Sequence, residues 1–208
     1  LYLGQYEIVE TKATYGMVLN EEPMSVELEY AGQEVAVTST SVSIYNERQK
    51  VQVMLYKDLE KDELFEIGTG DEILNVYFAL YAAEDLTAAD GTIIPKDGLI
   101  EIAGVQADGT LTFSADLPIG SYYVKEYSTN EHYLISEETY PVVFEYGGED
   151  TAVVEIVVNN GAAILTEIIG VSISGTNVDE NADPLPGAVC ALVTAHATAL
   201  RAEKPLMP

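Results

Sequence analysis

Apolar and polar residues alternate along most of the chain, which is the period of strands with one buried face rather than of helices. Val26-Glu27-Leu28-Glu29-Tyr30 places Val26, Leu28 and Tyr30 on one side. The same alternation groups Val51, Val53, Leu55 and Lys57, then Tyr122, Val124 and Glu126, then Val154, Ile156, Val158 and Asn160. Turn dipeptides separate these runs: Asp90-Gly91, Asp97-Gly98 and Asp108-Gly109 read as hairpins, and Ala31-Gly32 and Gly147-Gly148 follow matching strands. The pattern predicts an all-β fold of sandwich-like modules.

The chain repeats itself. Shifted by 116 positions, Leu1–Val37 lies on Leu117–Val153 without a gap, and twelve of the 37 positions are identical. Leu1, Gly4, Tyr6 and Glu10 fall on Leu117, Gly120, Tyr122 and Glu126, and Tyr30 and Gly32 fall on Tyr146 and Gly148. A fainter echo sets Phe78–Ala83 on Cys190–Ala195. The expected organisation is one complete and two partial modules: residues 1–46 close a first, 47–166 form a second, and 167–208 open a third with an irregular tail from Thr194. On this reading both ends fall inside modules, and the first piece packs against the middle one.

Composition narrows the partners. Thirty-five acidic residues against nine lysines and arginines leave a formal charge of −26, which excludes nucleic acid, whose phosphates need clustered cations. The same balance argues against anionic membrane surfaces, and no apolar run reaches transmembrane length. With 48% hydrophobic residues and 14 tyrosines the chain has ample core material, so acidity does not imply disorder. One cysteine, Cys190, rules out an intrachain disulfide, and His132 and His196 are too far apart in sequence for a metal-ligand motif. No metal and no cofactor is expected.

Leu117-Pro118-Ile119-Gly120 enters a strand that ends at Glu126, with a Tyr133-Leu134 step beyond it, and Leu3-Gly4 to Glu10 repeats the element. With the opening strands Val51–Lys57 and Ile73–Tyr81, and Pro184–Ala188 in the last piece, this order resembles the Cna B-type, or SpaA-like, repeat modules of Gram-positive surface adhesins and pilins. The resemblance implies tandem Ig-like or prealbumin-like β-sandwiches in an extracellular, wall-attached stalk or adhesin. It also implies a spontaneous Lys–Asn isopeptide bond beside a buried acid in many such modules.

The residues can be tested against that chemistry. Lys57 sits at an inward register, where burial disfavours the ammonium and supplies an amine nucleophile. Glu126 shares the inward face of its strand and is the candidate proton shuttle. The first piece carries Glu10 and, in Ile44-Tyr45-Asn46, the matching asparagine Asn46, without a lysine of its own. In the complete module Thr166 takes the asparagine's place, and Asn177 stands where the third lysine would be, so neither bond can form at that junction. Asn160 on the closing strand is the substitute partner for Lys57, with Asn159 as the alternative. The plainer readings are a Lys57 that snorkels to the strand edge and a Glu126 that pairs with it.

Asp179, Asn181 and Asp183 alternate like a calcium loop, but lack the glycine and closing glutamate, and read as an acidic turn. No enzyme motif can be defended. Two functions remain: a structural spacer, and a module that binds host protein or glycan through exposed tyrosines or the Glu84–Val105 insertion. Neighbouring modules are the expected partners.

Overall fold

A computed structural model of the chain describes residues 1–88, 90–184 and 187. Among the described residues twelve strands run in the order β1 (Gly4–Ile8), β2 (Met24–Leu28), β3 (Lys50–Leu59), β4 (Tyr77–Ala82), β5 (Leu86–Thr87), β6 (Ile93–Ile94), β7 (Leu99–Gly104), β8 (Thr110–Phe113), β9 (Gly120–Ser128), β10 (Thr139–Phe144), β11 (Val153–Val157) and β12 (Ile164–Thr166). The fold is all-β, as the alternation predicts. Cys190, His196, the Cys190–Ala195 echo and the tail from Thr194 lie outside the described residues.

Two four-stranded sheets form the body. One has the order β10-β9-β4-β7 and is antiparallel throughout. In the other, β3 pairs antiparallel with β8 and parallel with β11 and β12. Burial along β3 follows the period of two, with Val53, Leu55, Lys57 and Leu59 buried and Gln52, Tyr56 and Asp58 exposed. Val53, Leu55, Leu111 and Phe113 from this sheet share one core with Phe78, Leu80, Tyr122, Val124, Val142 and Phe144 from the other. That is a sandwich. The Asp108-Gly109 turn, which carries the chain from β7 in one sheet to β8 in the other, has Gly109 at φ +81°, where a Cβ would stand 2.6 Å from the Lys57 carbonyl oxygen. Only glycine meets both conditions. Residues 84–105, expected as an insertion, instead supply β5, β6 and β7, and β7 completes the first sheet.

The two-stranded sheet β1–β2 reproduces β9–β10 at the spacing of 116. Gly4 pairs with Leu28 and Tyr6 with Val26, as Gly120 pairs with Phe144 and Tyr122 with Val142. The Tyr6 hydroxyl donates to the Tyr2 carbonyl at 2.7 Å, and the Tyr122 hydroxyl to the Pro118 carbonyl at 2.5 Å. The Met17 amide donates to Thr14 as the Tyr133 amide donates to Asn130. Identical contacts at one spacing show that the repeated residues carry a repeated local structure.

The first piece is tied to the loop after β10, as the sequence leads one to expect. The Tyr146 hydroxyl donates to the Met17 carbonyl at 2.9 Å, and the Glu149 carboxylate accepts from the Ala13 amide at 2.8 Å. Buried Gln49 braces that loop, donating to the Gly148 and Thr151 carbonyls and accepting from the Gly147 amide. Residues 1–169 make one compact unit, and the described residues from Gly170 on belong to a second. In the second, Asp179 Oδ1 accepts from the amides of Asn181 and Asp183, an acidic turn closed on itself.

Candidate functional site

Three polar side chains lie in the apolar interior between the sheets. Lys57 from β3, Glu126 from β9 and Thr166 from β12 are 4%, 2% and 2% exposed. Each reaches the interior because alternation turns it inward, and β12 sets Ile164 opposite Lys57 and Thr166 opposite Leu59. The Lys57 ammonium donates to the Ile164 carbonyl at 2.9 Å and to the Asp58 carbonyl. Glu126 Oε1 accepts from the Thr166 hydroxyl at 3.0 Å, and Oε2 accepts from the Ser136 amide at 2.7 Å. Every buried polar group of the cluster therefore has a partner, which is the condition for keeping it in the core.

Lys57 and Glu126 are near neighbours without direct ion contact. The two ion pairs among the described residues are elsewhere, Arg48–Asp116 and Lys125–Glu137. Burial lowers the Lys57 ammonium from its ordinary 10.5 to about 8, and the fields of Glu126 and Asp58 partly oppose the shift. Between about 8 and 10.5 the unfolded chain binds the proton that the folded chain releases, so the contribution of Lys57 to stability rises with pH through that window. It is complete above 10.5 and lost below 8. Tyr122 and Tyr140 act in the opposite sense above pH 10, because desolvation raises both hydroxyls to about 12. Urea midpoints at pH 7, 8 and 9.5 should therefore rise in the native chain relative to Lys57→Met. Parallel curves for the two proteins would contradict the burial of the amine.

The first piece holds the same arrangement without its lysine. Asn46 Nδ2 donates to Glu10 Oε2 at 2.5 Å and to the Val18 carbonyl at 3.0 Å, and the Asn20 amide donates to the same carboxylate oxygen at 2.8 Å. Asn20 and Ser136 are 116 positions apart, as are Glu10 and Glu126. Thr166 thus meets Glu126 as Asn46 meets Glu10, with a hydroxyl in place of a carboxamide.

The remaining candidates stand apart from this cluster. Val154, Ile156 and Val158 keep the inward register of β11, with Val158 1% exposed. Asn159 and Asn160 then take left-handed backbone, with φ of 55° and 52°, and both side chains are exposed. Asn160, expected to face inward, is turned out by this local reversal, and the register resumes at Ile164. The Asn159 amide group donates to the Ala162 carbonyl at 3.2 Å. Asn177 is exposed and lies in the second unit. The sequence reading omitted Ser136 and Asn20, although both sit ten positions after their glutamates and align at the repeat spacing.

No group of His, Cys, Asp and Glu suited to a metal occurs among the described residues. No helix among them is long and apolar enough to cross a membrane.

Residues 65–162 match the family model of the SpaA prealbumin-like fold domain. No curated protein sequence matches the chain. Among solved structures, the Bacillus anthracis TIE protein is 19% identical over 81% of this chain and 26% of its own length, with a TM-score of 0.48. The minor pilin GBS52 of Streptococcus agalactiae is 17% identical over 64% of this chain and 51% of its own, with a TM-score of 0.37. The major pilin SpaD of Corynebacterium diphtheriae is 17% identical over 58% and 30%, with a TM-score of 0.34. The chain thus spans between about a quarter and about half of these proteins.

Proposed function

We propose that this chain, whose residues 65–162 match the SpaA prealbumin-like fold domain, is a length of an extracellular stalk on a Gram-positive cell surface. Its work is mechanical rather than catalytic. Residues 47–166 form the complete module, 1–46 the closing part of one before it, and 167–208 the opening of one after it. In the complete module the chain is held between the sheets by a non-covalent cluster of Lys57, Glu126 and Thr166. The observation that carries this reading is the Thr166 hydroxyl on Glu126 at 3.0 Å, where the first piece sets the carboxamide of Asn46 on Glu10. A hydroxyl offers an amine no carbonyl carbon to attack, so Lys57 stays a free amine. The exposed side chain of Asn160 and the engagement of Lys57 with Ile164 support the same conclusion.

Pulling on single molecules by their ends tests the proposal. A module held without a covalent bond must yield the whole stretch between Lys57 and Thr166, roughly 360–390 Å at about 3.3–3.6 Å per residue. A Lys57–Asn160 bond would withhold nearly all of that length. Rupture events that never release the stretch would overturn the non-covalent reading.

A further inference from the structure

One outer face of the sandwich is aromatic where the fold does not require it. On the sheet β10-β9-β4-β7, the residues turned away from the core form rows across the strands. One row reads Leu99, Tyr81, Tyr123 and Pro141, each opposite the next. Exposed Ile102 and Val143 flank it on either side. The internal repeat supplies the comparison. At the spacing of 116, Tyr123, Pro141 and Val143 correspond to Glu7, Ser25 and Glu27, which are the exposed residues of β1 and β2. The same strand pair thus forms with a polar outer face, and its pairing does not account for the apolar side chains of β9 and β10. An exposed apolar patch beyond the needs of folding marks a contact surface.

The Tyr81 and Tyr123 rings stack with centroids 5.1 Å apart and planes 15° from parallel. The Tyr123 hydroxyl donates to Asp97 Oδ1 at 3.2 Å, in the turn ahead of β7, so its ring leans across β4. A stacked aromatic pair and a carboxylate therefore meet at one place. Charge decides among partners. Glu84, bound to the Ser121 amide, Asp85, bound to the Lys96 amide, Asp97 and Glu137 surround this end of the face. Against these four carboxylates stand Lys96 and Lys125, and Lys125 is already paired with Glu137. A second copy of a chain with a charge of −26 is repelled, as is any anionic partner. We propose that this face binds an extended, arginine-bearing segment of a basic protein, with a guanidinium against the Tyr81–Tyr123 pair and bound to Asp97. A guanidinium suits both, because it is planar, stacks on aromatic rings and pairs with carboxylates through a rigid fork. The row crosses four strands, roughly 14 Å in all, which matches about four residues of extended chain. Binding here adds a second role to the stalk and does not depend on how Lys57 is held.

The test is to titrate a short peptide of alternating arginine and glycine into the full chain and follow the amide shifts. They should concentrate at Tyr81, Leu99, Tyr123 and Val143. Tyr123→Leu keeps an apolar side chain but removes the aromatic face, and should weaken binding about 2–5-fold. Asp97→Asn should weaken it at least about twofold. Asparagine accepts the left-handed backbone at this exposed turn, where φ is 62°, so this variant keeps the test open if the tyrosine variant does not fold. Glu155→Gln removes one charge from the exposed side of β11, in the other sheet, and should leave binding unchanged. Equal losses from Asp97→Asn and Glu155→Gln overturn the proposal, since they leave only general attraction to an acidic surface. Undiminished binding by a folded Tyr123→Leu chain overturns it as well. Shifts at these residues with cellohexaose, and none with the arginine peptide, overturn it in favour of a glycan.

Discussion

Thr166→Asn should lose one ammonia from its intact mass and become far harder to unfold. The introduced carboxamide would stand where the Thr166 hydroxyl now meets Glu126 Oε1, on the strand whose Ile164 carbonyl holds the Lys57 amine. The amine then attacks the carboxamide carbon, a C–N bond forms, and the departing nitrogen leaves as ammonia with a proton relayed through Glu126. The geometry is prepaid by the fold, which is the main requirement for a reaction between such poor partners. The bond closes a loop of just over a hundred residues, for which loop closure alone predicts about 4.7 kcal/mol of stabilisation. In a chain of this length that corresponds to a rise in melting temperature on the order of 10–20 °C. Adding Lys57→Met should abolish both changes. A folded Thr166→Asn protein of full mass would show that the amine and residue 166 do not meet.

Glu126→Ala should produce the second largest effect, in the opposite direction. The substitution leaves the Ser136 amide and the Thr166 hydroxyl without their acceptor, and strands the buried Lys57 ammonium without the nearby carboxyl group that favours its charge. Removing one member of a buried polar cluster costs about 3–5 kcal/mol, because the groups left behind are desolvated and unpaired. Chemical denaturation should register that loss, and melting should fall on the order of 10 °C. Glu126→Gln keeps an acceptor oxygen for one of the two donors and should lose less. A cost within about 1 kcal/mol for Glu126→Ala, the range of ordinary substitutions, would mean that the cluster does not hold the sheets together.

The sequence made the inward register of Lys57 and Glu126 readable, because strict alternation leaves a strand residue only two faces to choose from, whereas Thr166 was marked only by its place at the module junction. The repeat was equally readable, and it carried further than the identities themselves. The Asn20 and Ser136 amides, each on the carboxylate of its own glutamate, recur at the spacing found by aligning other residues. Alternation failed at Asn160, where a local signal outweighed the period: Asn159-Asn160-Gly161 all take positive φ, and asparagine and glycine are the residues that tolerate it. The same kind of limit hid β7, whose Leu99–Gly104 run follows two turn dipeptides and looks like part of a long loop until it is seen paired with β4. Parallel pairing of β11 and β12 with β3 was not legible either, since alternation reports which face is buried and not which strand lies alongside.

The central claim is that the complete module is held without a covalent cross-link, and the intact mass of the native, fully denatured chain tests it most directly. The mass should equal that of the sequence, and every peptide containing Lys57 should be linear. A deficit of one ammonia, with a peptide joining Lys57 to Asn160 or Asn159, would contradict the account.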